Sequence, residues 1–109
     1  MPSSYSCPVE LATDVIGGRW RTVLLSRLKE GVHRYGELRR LVPGISEKML
    51  SQRLRELEAD GLITRRDLGT VPPHVEYELT AAGHSLAPVL QALYDWGVER
   101  AARTGTDVG

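Results

Sequence analysis

The sequence is poor in the features that mark membrane proteins and disulfide-stabilised secreted proteins. Its 109 residues contain a single cysteine, so no disulfide can form within the chain. No apolar run approaches the ~18 residues that a membrane-spanning helix requires. No secretory signal is visible at positions 1–6. We therefore expect one cytoplasmic domain with no membrane partner.

The usual signatures of catalysis and cofactor binding are also missing. His33, His74 and His84 do not have metal-ligand spacing, and no second cysteine could assist them. There is no glycine-rich phosphate loop, and the sequence groups no serine, histidine and acid into a catalytic site. We predict no metal, no cofactor and no enzymatic activity. A thiol enzyme using Cys7 is the alternative, but that thiol has no evident base partner.

The chain has no net charge, which by itself argues against a non-specific nucleic-acid binder. The charges are nevertheless unevenly distributed. Residues 19–66 contain 12 of the 14 lysines and arginines and 6 of the 14 acidic residues, a net charge of +6. The remaining residues carry the compensating −6. A basic segment within a neutral chain favours a nucleic-acid partner over chance scatter of solvated charges.

The basic segment contains the order of elements expected for a helix-turn-helix. Residues 34–41 form a short amphipathic stretch, and Pro43-Gly44 then predicts a tight turn. Ser46 is a good N-cap for a second helix that extends to about Asp60. Leucines at helical spacing give this helix an apolar face: Leu50, Leu54 and Leu57. Two short helices joined in this way predict a DNA-reading unit.

The opposite face of the second helix is polar and cationic, formed by Lys48, Ser51, Gln52 and Arg55. A helix fits the major groove, where base edges carry a unique donor and acceptor code. Gln52 can read adenine and Arg55 can read guanine, each with two hydrogen bonds. Ser51 is adaptable, and Lys48 reaches a base or a phosphate. The further predicted DNA contacts are Arg39, Arg40, Ser46, Arg65, Arg66 and His74.

The rest of the chain predicts a mainly α domain with a small β-hairpin (α+β). Residues 62–68 and 75–79 are strand candidates, and the Pro- and Gly-rich loop 69–74 joins them as a projecting wing. Helices are expected near residues 8–16, 19–29 and 81–102, the last one capped by Thr80. We assign residues 7–102 to one winged helix-turn-helix domain, with flexible ends at 1–6 and 103–109.

The final helix carries a broader apolar arc than a small core requires. A second copy of the chain is the simplest explanation, although a small core could also wrap the helix on both sides. We therefore predict a homodimer that buries part of the final helix. The predicted interface residues on this helix are Leu86, Val89, Leu90, Leu93 and Trp96.

Several motifs in this order and spacing resemble the HxlR-type winged helix-turn-helix transcriptional regulators. They are Cys7–Glu10, Ile16–Trp20, Arg34–Leu38, Pro43–Ser46, Met49–Leu50, Leu54–Leu57, Asp60–Leu62, Val71–Pro73 and Val75–Tyr77. The resemblance covers residues 7–97. It implies a homodimeric bacterial or archaeal regulator that dimerises through its first and last helices, and it thereby adds Val9 and Ala12 to the predicted interface. His74 replaces the basic residue usual after the two prolines, and a neutral histidine makes a weaker phosphate contact.

Cys7 is the remaining candidate for chemistry. It precedes Pro8, which suits the first turn of a helix. Free N–H groups at a helix N-terminus favour the thiolate, which is the form that oxidants and electrophiles attack. Some relatives that this chain resembles sense oxidants or aldehydes through such a cysteine, and others do not need it. The alternative is a small packed residue near the dimer interface.

The sequence therefore predicts a sequence-specific DNA-binding transcriptional regulator, a repressor of a neighbouring gene that binds an inverted-repeat operator. We expect Cys7 to be a candidate redox sensor. One alternative is a winged-helix protein-interaction module without DNA binding. Another is a regulator that responds to a small molecule and in which Cys7 is structural. The sequence does not identify an effector.

Overall fold

The computed structural model describes residues 3–109, and within them helices surround a small antiparallel sheet. The elements in chain order are α1 (Pro8–Ile16), α2 (Arg19–Lys29), β1 (His33–Arg34), α3 (Tyr35–Leu41), α4 (Glu47–Ala59), β2 (Ile63–Asp67), β3 (Val75–Leu79), α5 (Ala81–His84) and α6 (Ala87–Thr104). The predicted mainly α fold with a β-hairpin wing is confirmed.

The sheet has the order β1-β3-β2, and both pairings are antiparallel. Tyr77 in the middle strand lies opposite His33 on one side and Arg65 on the other. The β2–β3 hairpin continues into the loop at residues 68–74, where Val71 is almost fully exposed. The loop thus forms the tip of the wing.

The hydrophobic core lies between α2, α3, α4 and the sheet. Leucines dominate it, and burying each one contributes roughly 1.5–3 kcal/mol. The most completely buried side chains are Leu24, Leu25, Leu28, Leu38, Leu50, Leu54, Leu57, Ile63, Leu90 and Val42. All three leucines predicted on the inner face of α4 are in this set, so the opposite face of α4 points outward.

Local hydrogen bonds fix where the two helices of the helix-turn-helix begin. The Ser46 Oγ accepts a hydrogen bond from the Met49 N–H at 3.1 Å, as expected for an N-cap. At the start of α3, the Glu37 carboxylate accepts a hydrogen bond from the Arg34 N–H at 2.9 Å. This backbone hydrogen bond, with help from nearby positive charges, lowers the pKa of Glu37.

The prediction of one final helix at residues 81–102 is wrong in one respect, because the structure has two helices there. A short α5 ends at His84, and α6 begins at Ala87. Pro88 stands in the first turn of α6. It has no N–H to bond the carbonyl four residues earlier, and its ring would clash with that carbonyl. The chain therefore turns at Ser85–Leu86 instead of continuing as one helix.

Burial corrects the predicted dimer surface at Leu90. This side chain is only 2% exposed and belongs to the core of its own chain, so it was assigned to the wrong surface. Leu86 is partly buried and packs against the same core. Helical periodicity identified the apolar face correctly, but it could not show which part the domain itself covers.

The two ends of the chain are more structured than the sequence predicted. Helix α6 extends to Thr104, and Gly105 adopts the left-handed conformation at its C-cap. At the other end, the Tyr5 hydroxyl donates to the Asp14 carboxylate at 3.0 Å, and Ser6 bonds Glu10. The predicted flexible N-terminus also included residues 1–2, which lie outside the described residues.

We predict that Gly83→Ala destabilises the domain. A Cβ at this position would overlap with the Leu62 carbonyl and lie 3.0 Å from the Leu79 Cδ2, so overpacking should cost about 1–3 kcal/mol. Gly36→Ala in α3 is the control, because its Cβ would meet only the Arg40 Nη1 at 3.7 Å. Its better helix propensity should raise stability by up to about 1 kcal/mol. Urea unfolding measures the free energy of unfolding of both variants. Equal stability of the two variants would contradict the close packing around Gly83.

Candidate nucleic-acid interface

The outward face of α4 presents three polar side chains at helical spacing: Lys48, Gln52 and Arg55 are all exposed. Positions 48, 52 and 55 lie on one face because residues three or four apart are neighbours on a helix. Within the described residues none of the three forms a side-chain hydrogen bond or a salt bridge. Their donors and acceptors are therefore free to meet an external partner.

Ser51 is held differently from the other three predicted groove residues. It is partly buried, and its Oγ lies 3.1 Å from the Tyr35 hydroxyl. That hydroxyl also donates to the Glu47 carbonyl at 3.2 Å, which ties the start of α3 to the start of α4. This role of Tyr35 could not be predicted from the sequence, because the contact joins residues 16 positions apart.

The arginines at the end of α3 differ in their surroundings. Arg39 pairs with Glu47 at 2.7 Å, and both side chains are more than half exposed. An exposed pair of this kind contributes only about 0–1 kcal/mol, so a phosphate could replace the carboxylate at little cost. Arg40 forms no salt bridge among the described residues. Both arginines therefore remain candidates for contacts with the DNA phosphate backbone.

The wing adds cations beside the outward face of α4. Arg65 and Arg66 are exposed on β2, and neither has a salt-bridge partner in the part of the chain that the structure describes. Arg65, Arg55 and Ser51 line one concavity of about 410 Å³ between α4 and β2. Arg65 of the wing and Arg55 of the helix therefore line the same open space, together with one carboxylate, that of Glu58.

His74 does not have a free ring nitrogen to offer a phosphate. Its Nδ1 lies 2.7 Å from the Arg34 Nη2, and its Nε2 lies 3.2 Å from the Glu76 carboxylate. Arg34 can only donate and the carboxylate of Glu76 accepts, so these partners suit a neutral imidazole protonated at Nε2. The predicted phosphate contact of His74 is thus replaced by a contact that holds Arg34 beside the wing. Arg34 thereby becomes a further candidate cation of this surface, and the sequence carries no local signal for its contact with a residue 40 positions away.

Cys7 lies away from the helix-turn-helix, at the N-cap of α1. Its backbone is extended, with φ −151°, and its carbonyl accepts a hydrogen bond from the Glu10 N–H at 3.0 Å. The thiol is exposed and caps no N–H with a side-chain hydrogen bond. The position agrees with the prediction, and the exposure shows that the thiol is not packed within its own chain.

A single chain leaves apolar side chains uncovered on α1 and α6. Helix α1 has no buried residue, and both Val9 and Ala12 are exposed. On α6, Trp96 is 65% exposed and Leu93 is 50% exposed. Further exposed apolar residues lie on the same two helices: Leu11, Val89, Tyr94 and Val98. A surface of this kind usually marks an interaction site.

Residues 3–109 contain neither a candidate metal site nor a candidate membrane span. These residues hold no cluster of three or more histidine, cysteine or acidic side chains suited to a metal ion. None of their helices combines the length and apolar character needed to cross a bilayer.

Comparison with known proteins agrees with this geometry. The family model for the HxlR-like helix-turn-helix matches residues 15–104. The HTH-type transcriptional regulator YtcD of Bacillus subtilis is 48% identical over 103 residues, which cover 94% of this chain and 82% of the relative. The regulator YkvN of the same bacterium is 50% identical over 93 residues, 85% of this chain and 79% of the relative.

Among solved structures, the redox regulator HypR in its reduced form superposes with a TM-score of 0.84 at 40% identity. The match covers 93% of this chain and 100% of HypR. These similarities extend through the helix-turn-helix, the wing and most of α6. The chain therefore belongs to the HxlR-like helix-turn-helix family, whose members compared here are transcriptional regulators.

Proposed function

We propose that this protein is a homodimeric transcriptional repressor that binds an inverted-repeat operator in the cytoplasm and controls a neighbouring gene. The observation that carries the proposal is the outward face of α4, where Lys48, Gln52 and Arg55 are exposed and have no partner among the described residues. Family membership supports DNA binding by this surface.

Each side chain of this face has a proposed role set by its chemistry. Gln52 reads adenine and Arg55 reads guanine in the major groove. Lys48 and Ser51 contact a base or a phosphate at the edge of the helix. Five arginines contact the DNA phosphate backbone and fix the register of the helix: Arg34, Arg39, Arg40, Arg65 and Arg66. Ser46 supports the site as the N-cap of α4.

The uncovered apolar residues of α1 and α6 support a two-fold dimer. Val9, Ala12, Val89, Leu93 and Trp96 are exposed in a single chain, and a second copy would remove them from water. A two-fold axis gives one recognition helix per half-site, so the operator should be palindromic. The half-site centres should lie roughly 34–36 Å apart or a multiple of that distance.

The signal that we propose is an oxidant acting at Cys7. HypR is described as a redox regulator, and Cys7 is the only thiol of this chain. An oxidant such as diamide would take two electrons and two protons from two thiols and form one disulfide. With one cysteine per chain, that bond joins two subunits or attaches a small thiol. Either product changes α1 at the proposed dimer interface.

The groove assignment predicts distinct effects for base and phosphate contacts. Gln52→Ala or Arg55→Ala should weaken operator binding by about 1–3 kcal/mol and relax the choice of base at one position of the operator. Arg40→Ala should weaken binding to all DNA sequences alike, and it should reduce the slope of log affinity against log salt concentration by about 1. Arg27→Ala on α2 is the control, because this arginine pairs with Glu30, the residue that follows the end of the same helix. Fluorescence anisotropy measures the affinity of each variant for operator DNA and for scrambled DNA. If the Gln52, Arg55 and Arg40 variants all bound both DNAs as tightly as the parent does, the assignment of the groove residues would be refuted.

If α6 lies in the dimer interface, a charge introduced into its apolar face should separate the subunits. Leu93→Glu should give a monomer in sedimentation at micromolar concentration and lose most affinity for the full operator. Val32→Glu is a matched control, because Val32 is 49% exposed and Leu93 is 50% exposed, but Val32 lies outside the proposed interface. A parent protein that sediments as a monomer, or a Leu93→Glu variant that stays dimeric, would contradict the interface.

The sensor proposal predicts that diamide weakens operator binding by the parent and that dithiothreitol restores it. Cys7→Ser should bind DNA as the parent does and should not respond to diamide. Gel shifts before and after each treatment measure the effect. Equal loss in both proteins, or no loss in either, would return Cys7 to a structural role.

A further inference from the structure

The side chain of Arg21 is the least expected feature of this fold, because it is charged and yet only 7% exposed. A buried charge is costly unless it is paired and hydrogen-bonded. Arg21 lies in the first turn of α2, and the sequence analysis gave it no role. Its partners, however, belong to the ends of two other helices, α1 and α4.

On one side, the guanidinium binds the C-terminus of α1. The Nη2 donates to the Val15 carbonyl at 2.8 Å, and the Nε donates to the Ile16 carbonyl at 3.3 Å. These carbonyls belong to the last turn of α1, which has no basic residue of its own. Arg21 therefore supplies the positive charge that the negative end of the helix dipole favours.

On the other side, the same guanidinium binds the C-terminus of α4. The Nη2 lies 2.8 Å from the Asp60 carboxylate, and the Nη1 lies 3.7 Å from the Glu56 carboxylate. The last turn of α4 also has no basic residue. The buried guanidinium thus bridges the last carbonyls of α1 and two carboxylates at the end of α4, of which Glu56 also pairs with Arg53.

The backbone around Arg21 is built to admit this side chain. Gly17 ends α1 with φ +78°, a left-handed conformation that glycine adopts without strain. A Cβ at Gly17 would overlap with the Arg21 Nε. Gly17 therefore both stops α1 and leaves room for the guanidinium beneath its last turn.

Helix α1 has little else to fix its direction relative to α4. It contains no buried residue, and its hydrophobic contact with the core is made by the partly buried Val15. The hydrogen bonds from Arg21 to its last two carbonyls are thus a major polar attachment of α1. A planar guanidinium holds several donors in a rigid fork, which suits it to fixing the relative orientation of two helices.

We propose that Arg21 is a positioning residue that couples α1 to the recognition helix α4. In the dimer proposed above, it fixes the separation of the two recognition helices and thereby the operator spacing that the protein accepts. The consequence for DNA rests on the proposed function, whereas the coupling between α1 and α4 does not. A displacement of α1 at the dimer interface reaches α4 through this side chain.

The test removes the α4 side of the link and observes α1. Asp60→Ala deletes a carboxylate whose side chain is 44% exposed, so the fold should survive. Asp60→Asn keeps an oxygen that can accept from Arg21 and should restore parental behaviour. Glu58→Ala is the matched control, because it removes the same charge from the last turn of α4 at a residue that does not contact Arg21.

Two measurements decide the proposal. In hydrogen–deuterium exchange without DNA, Asp60→Ala should speed exchange in the last turn of α1 at least threefold, whereas Glu58→Ala should not. The second measurement compares affinities for operators whose spacers differ by one base pair. The ratio of the affinity for the best spacer to that for the other spacers should be at least threefold smaller in Asp60→Ala than in the parent. Affinity for an isolated half-site should stay within twofold of the parent.

Unchanged exchange in α1 would overturn the coupling. A loss of affinity by the same factor at every spacer would overturn the positioning role and leave Arg21 as a structural residue. If the parent protein bound no DNA, the proposed function would fail, and the exchange experiment would still decide the coupling.

Discussion

The whole arrangement depends on how α4 is buried. Leu50, Leu54 and Leu57 are all in the core, and this packing fixes the rotation of the helix about its axis. A different rotation would expose leucines and bury charged groups, which costs several kcal/mol. The rotation that buries the leucines turns Gln52 and Arg55 outward. Hydrophobic packing, and not the polar residues themselves, therefore orients the proposed DNA-reading surface.

Other contacts then orient the surfaces around this helix. Tyr35 ties α3 to the start of α4, and His74 holds Arg34 beside the wing. Arg21 joins the far end of α4 to α1. Helix α4 is thus connected at one end to the preceding helix and at the other to the helix that follows Cys7. Under the proposed coupling, a displacement of α1 would reach the proposed DNA surface through Arg21.

Features set by local sequence could be predicted, because caps, turns and periodicity act over a few residues. Ser46, the apolar face of α4 and the wing hairpin are of this kind, and they are confirmed in the fold. Non-local features could not be predicted. His74 meets a partner 40 positions away, and Leu90 is covered by its own domain. The break before α6 had a local signal in Pro88, which the apolar periodicity concealed.

We propose that two copies of α4 enter the major groove of a palindromic operator. Methylation interference tests this arrangement, because dimethyl sulfate modifies guanine N7, an atom of the major groove. Two groups of interfering guanines are expected, symmetric about the operator centre and about 10–10.5 base pairs apart or a multiple of that spacing. A single asymmetric group, or no interference at guanine N7 in a bound operator, would contradict it.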